Sequence, residues 1–177
     1  MGSAIDYVAL LRGINVGGHK PIKMDAIRTA FAGMGFVEPK TVLASGNVVF
    51  ETEGASENAL RRMIEEQLAA RTGQPIGVLI RPIAELEALV AADPFAGAKE
   101  SADSKLYVTF LGELPKRPIE LPHRGPNSEF TILRAGPREV ISIGSFAKSA
   151  PFLDKVYGKA TTTRNWNTVY RIVAAAS

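Results

Sequence analysis

The chain has 177 residues, 46% of them hydrophobic and 22% charged, with 21 basic and 18 acidic side chains and a net charge of +3. That length suits one good-sized core or two small subdomains, and the composition is that of an ordinary soluble globular protein. The absence of cysteine excludes disulfides, thiol nucleophiles and thiolate metal sites, no apolar run approaches the roughly 18 residues that cross a bilayer, and a start without the basic segment of a signal peptide points to the cytoplasm.

The run DYVALLRGI (6–14) is apolar and β-branched enough for a strand buried on both faces. Past the glycines that follow, Met24, Ile27, Phe31 and Met34 recur at helical spacing, and Gly35 stops that helix. KTVLAS (40–45) and NVVFET (47–52) read as a hairpin turning at Ser45-Gly46-Asn47. Ser56 caps a helix whose Leu60, Ile64 and Leu68 form one stripe, with Gly73 just past its end. PIGVLIR (75–81) is a further strand.

Strand, helix, strand, strand, helix, strand is the split βαβ order. The predicted fold is therefore α+β, with a ferredoxin-like βαββαβ subdomain over 1–81 and a smaller α+β subdomain, 82–177, packed against it. In the second part, Ile83, Leu86 and Val90 suggest a short helix ended by Asp93-Pro94. KLYVTFLG (105–112) is a strand, 113–127 is an extended loop with four prolines, and EFTILRA and REVISIGS form a hairpin about Gly136-Pro137. The last helix is expected to start after Thr163, with Trp166, Val169, Tyr170 and Val173 facing inward.

Three polar clusters interrupt these elements. The first, LRGINVGGHK (11–20), fails the Walker A pattern: His19 stands where lysine belongs and Pro21 where the magnesium-binding hydroxyl belongs. It also fails the dinucleotide fingerprint. A looser anion site remains open, because successive glycines let N–H groups converge while Arg12, Lys20 and Lys23 add charge. Equally, the glycines serve a tight turn that needs positive φ. With strands ordered 4-1-3-2, the Ser45-Gly46-Asn47 turn lies beside Arg12 and Asn15. The third cluster, around Thr163, places Arg164, Asn167 and Thr168 on one face of a helix that Thr163 caps.

Other candidates are bland. His19 and His123 have no metal-ligand spacing, and His123 reads as a solvated loop residue. Glu65 and Glu66 read as the wet face of a helix. Tyr107 and Phe110 read as core packing rather than a base-stacking platform. No conventional catalytic constellation is present, so no metal site, cofactor or reaction is assigned.

Together ALLRGINVGG, SGNVVF and TTRNWNTV closely resemble the bacterial domain-of-unknown-function family sixteen-ninety-seven. The resemblance implies small cytoplasmic α+β proteins with a ferredoxin-like N-terminal part, and it carries no activity or cofactor. The motif residues Arg12, Asn15, Gly17, Gly18, Ser45, Asn47, Thr163, Arg164, Asn165 and Asn167 are the expected ligand-binding set. The first expectation is a small anionic ligand, phosphorylated or nucleotide-like, held by Arg12, Arg164 and backbone N–H groups. Two alternatives stand beside it: a nucleic-acid-binding module on the ferredoxin-like sheet, and a structural or protein-interaction domain in which the motifs are an internal polar network.

Overall fold

The computed structural model describes residues 2–15 and 20–177. By backbone contacts the chain divides into two units, Met1–Ala88 with Tyr170–Ser177, and Leu89–Val169. Among the described residues no helix is long and apolar enough to cross a membrane.

In the first unit β1 (Ile5–Arg12), α1 (Met24–Gly33), β2 (Val37–Val42), β3 (Asn47–Thr52), α2 (Glu57–Thr72) and β4 (Gly77–Pro82) follow one another. The strands pair in the order β2-β3-β1-β4, antiparallel throughout, which is the expected 4-1-3-2 order read from the other edge. Alternation along the strands sends Tyr7, Ala9, Leu11, Val48, Phe50, Val78 and Ile80 into one core with Ile27 and Phe31 of α1 and Leu60, Ile64 and Leu68 of α2. The opposite face of the sheet carries Val8, Leu10, Val49 and Leu79, and these are buried as well.

α2 is delimited as its sequence dictates. Ser56 accepts from the Ala59 N–H at 3.2 Å, and Gly73 closes the helix at φ 75°. Glu65 departs from the solvated role expected of it. It is half-buried, pairs with Arg61 at 3.0 Å, and accepts the Val78 N–H of β4 at 3.0 Å. β4 is an edge strand, so that N–H has no neighbouring strand to meet. α3 (Ile83–Ala92) follows β4, and Asp93 at φ 42° breaks it ahead of Pro94.

The second unit is built on β5 (Lys105–Leu111), β6 (His123–Arg124), β7 (Phe130–Ala135), β8 (Glu139–Gly144) and β9 (Thr161–Asn165), ordered β6-β7-β8-β5-β9. Helix α4 (Phe146–Tyr157) lies on one face, where Leu153, Val156 and Tyr157 meet Leu111, Phe130, Ile132 and Val140. α5 (Trp166–Ala176) ends the chain, and Lys40 of β2 donates to the Ala175 carbonyl at 3.0 Å in its last turn.

Three features of this half differ from the sequence expectation. Residues 161–165 form a strand, not the start of a helix: three consecutive β-branched threonines suit a pleated edge, and β5 supplies the partner. The sequence does not suggest α4, because Pro151 sits in its interior, where proline ordinarily costs a helix its i−4 hydrogen bond. His123 is not a solvated loop residue, since its ring stacks on Phe152 at 4.2 Å between centroids and 12° between planes.

Candidate functional site

The first polar cluster gathers at one end of the first unit's sheet. β1 ends in Arg12, whose side chain lies over Gly77 of the adjacent strand; a Cβ there would stand 3.0 Å from Arg12 Nη1. The chain then turns through Gly13 at φ 64° and Asn15 at φ 56°. The Asn15 amide is used twice over. Its Oδ1 accepts the Ile22 N–H at 2.8 Å, while its Nδ2 donates to the carbonyls of Ile22 at 3.0 Å and Ala44 at 3.4 Å. One side chain thus closes the loop on itself and ties it to the β2–β3 turn.

That turn is equally self-contained. Buried Asn47 donates through Nδ2 to the Val42 carbonyl at 2.7 Å and to Ser45 Oγ at 3.1 Å. Gly46 sits at φ 87°, and its carbonyl accepts the Leu11 N–H at 2.8 Å. A Cβ on Gly46 would lie 2.6 Å from Ile14 Cδ1 and 2.9 Å from Leu11 Cβ. Asn15 and this turn are therefore neighbours, and their amides hold protein to protein, while the Arg12 side chain lies toward β4. Gly17 and Gly18 lie outside the described residues.

The 161–168 cluster belongs to the second unit. Thr163 is a strand residue whose hydroxyl lies 2.8 Å from that of Thr109 on β5. The cap of α5 is Asn165 instead: its Oδ1 accepts the Asn167 N–H at 2.9 Å. Its Nδ2 donates to Glu100 at 3.1 Å, and the same carboxylate oxygen accepts the Leu106 N–H at 3.0 Å. Sequence reasoning missed Glu100, which stands in an irregular segment with no motif around it. The Leu106 N–H foremost, then Asn165 and Lys105, hold the Glu100 carboxyl below its usual range against the opposing effect of burial. Arg164 is 6% exposed, and its Nη1 donates to Thr162 Oγ1 at 2.6 Å and to the Thr163 carbonyl at 3.0 Å. Burial lowers its guanidinium to about 10.

A concavity of the second unit lies elsewhere, where the start of β5, the end of β8 and the first turn of α4 meet in a groove of about 710 Å³. Tyr107 and Phe146 line it with ring centroids 5.6 Å apart and planes at 45°. Tyr107 is half-buried, not a core residue; desolvation first and the Glu100 charge second push its phenol up, so it stays a neutral hydroxyl. Phe110, on the opposite face of β5, is the core residue expected of it. Lys105 and Lys148 flank the rings, at 3.8 Å from Glu100 and 3.3 Å from Glu129. Ser145 precedes α4 and forms no side-chain cap, so first-turn N–H groups of a twelve-residue helix border the same space. Among the described residues no three histidines or carboxylates converge as a metal site would require.

Antiparallel sheets flanked by helices place the protein in the α+β class. Residues 5–139 match the family described as Protein of unknown function (DUF1697), and the chain belongs to that family. LRGINVGG and SGNVVF lie within the matched stretch, and TTRNWNT lies beyond it. No curated protein matches the chain. Among solved structures it is similar to that of the conserved bacterial protein SP0830 from Streptococcus pneumoniae, at 18% identity and a TM-score of 0.70, over 99% of this chain and 100% of that one. At that identity the likeness concerns the fold.

Proposed function

We propose that the protein binds a small anionic ligand, phosphorylated or nucleotide-like, and that the groove at the start of α4 is its seat. The observation that carries this reading is the groove of about 710 Å³ with Lys105 and Lys148 on its walls, a size ordinary for small-molecule sites. Their ion pairs with Glu100 and Glu129 are partly exposed to solvent, and such pairs hold little free energy against a doubly charged ligand. The N–H groups of the α4 first turn add directional donors and a favourable dipole.

The first-loop cluster supports this role less well. Arg12, Lys20 and Lys23 bring charge there, but Asn15, Ser45 and Asn47 are engaged in the hydrogen bonds that shape the loop and turn. The nucleic-acid alternative finds no support in the sheet face that a base-stacking platform would use, which carries buried aliphatic side chains.

The test is a thermal-shift and calorimetric titration with inorganic phosphate, pyrophosphate and ribose 5-phosphate, on wild type, Lys148→Glu and Arg12→Ala. A ligand at a hundred times its dissociation constant adds about 2.7 kcal/mol, or about 5–10 °C at this chain length. The shift is expected to vanish in Lys148→Glu and to survive in Arg12→Ala. The reverse pattern moves the site to the first loop, and no shift in wild type overturns the proposal.

A further inference from the structure

We infer that the ligand of this groove carries a planar aromatic ring beside its anionic group, as a nucleoside monophosphate does, and that Phe146 with Tyr107 is the surface that receives the ring. The inference rests on the anion-binding reading of the groove and names the ligand class.

The argument begins with the placement of Phe146. It is the first residue of α4 and keeps 42% of its surface exposed. Helix geometry makes no demand for a phenyl ring there, and phenylalanine is an indifferent helix former. The core that α4 buries is served by Leu153, Val156 and Tyr157 further along. Phe146 instead inclines toward Tyr107, at 5.6 Å and 45°. Two rings so tilted do not cover each other's faces, as parallel stacking would. A planar heterocycle laid on the open Phe146 face would meet the edge of Tyr107, the offset and edge-on contacts that aromatic groups prefer.

The polar groups are arranged around those rings and not apart from them. Lys105 precedes Tyr107 by two residues on β5 and so shares its face of the sheet. Lys148 follows Phe146 by two residues, within the first turn of α4. Phe146 and Lys148 both line the groove, so a ring on Phe146 would leave its anionic substituent in the same space as an ammonium group and first-turn N–H donors. Glu129, beside Lys148 at 3.3 Å, gives an acceptor for sugar hydroxyls. Volume also agrees: about 710 Å³ accommodates a mononucleotide.

The test compares adenosine monophosphate, ribose 5-phosphate and inorganic phosphate by calorimetry on wild type, Phe146→Ala, Phe146→Trp and Lys148→Glu. Because Phe146 is well exposed, its variants should melt with wild type, and circular dichroism checks this. Wild type is expected to prefer the nucleotide over ribose 5-phosphate by about tenfold or more, the scale of one base–aromatic stack. Phe146→Ala should erase that preference while leaving the affinity for ribose 5-phosphate unchanged, and Phe146→Trp should keep it. Lys148→Glu should weaken all three probes. Equal affinity of wild type for nucleotide and ribose 5-phosphate overturns the inference and leaves the anion site standing, as does a preference that survives in Phe146→Ala. Failure of every probe overturns both.

Discussion

Thr109 and Thr163 face each other across β5 and β9 with their hydroxyl oxygens 2.8 Å apart, Thr109 fully buried and Thr163 half-buried. Removing only one member of such a pair strands the other, whereas removing both removes the need. Thr163→Val should cost about 1–3 kcal/mol in urea unfolding, and the Thr109→Val, Thr163→Val double variant should recover most of it. Additive losses would mean the two hydroxyls are satisfied independently.

Gly46 and Gly13 both adopt positive φ, yet they differ in surroundings. Gly46→Ala meets Ile14 and Leu11 at 2.6 and 2.9 Å, whereas nothing lies within 4 Å of a Cβ at Gly13. Gly13→Ala should cost the left-handed backbone penalty alone, about 1–2 kcal/mol. Gly46→Ala should add an overpacking cost of about 1–3 kcal/mol. Denaturation midpoints of the two variants give the comparison directly, and equal losses would argue against a tight turn at Gly46.

The carboxyl of Glu100 is held below its ordinary value of 4.5 by the Leu106 N–H first, with Asn165 and Lys105 adding to it. A depressed folded-state value means the folded chain resists protonation longer than the unfolded one. The stabilisation is thus present above about pH 4.5 and is lost as the pH falls through the folded value. Glu100→Gln should lose about 1 kcal/mol at pH 7 and show a shallower acid limb below 4.5. Parallel acid limbs in the two proteins would remove Glu100 from this role.

Arg164 titrates in the opposite direction of interest. Burial lowers its folded-state value to about 10, below that of the unfolded chain, so it sheds its proton earlier when folded and stability rises as pH climbs above that value. Across pH 5–9 it is charged in both states and adds no slope. Arg164→Gln loses the donation to Thr162 Oγ1 and the Thr163 carbonyl and should destabilise by about 1–3 kcal/mol. The loss should be the same at pH 5 and pH 9; a loss that grows with pH in that range would contradict it.

Much of the first unit was legible because its signals are local. Ser56 and Gly73 delimit α2, the Leu60, Ile64 and Leu68 stripe says which face is inside, and strand parity in DYVALLRGI and NVVFET sets the register of β1 against β3. The second unit was legible only in part because its information is non-local. Threonine followed by Arg-Asn is as good a helix entrance as it is an edge strand, until β5 is placed beside it. The signal for α4 was present in Leu153, Val156 and Tyr157 ahead of Gly158, with Pro151 masking it. At the candidate groove, no local signal in the sequence singles out Phe146. Only folding brings residues 39 positions apart in sequence into ring contact.

The hydrogen bond from Val78 to Glu65 bears on how the molecule behaves in a crowd. An edge strand with a free N–H invites a strand from a neighbouring chain, and the result is filaments or precipitate. At β4 the invitation is withdrawn at one point along the edge, because a carboxylate from the protein's own helix already occupies Val78. A neighbour zipping onto β4 would have to evict a charged group from a bond it already makes. Glu65 can thus guard colloidal behaviour as much as the fold, a role visible only at high concentration.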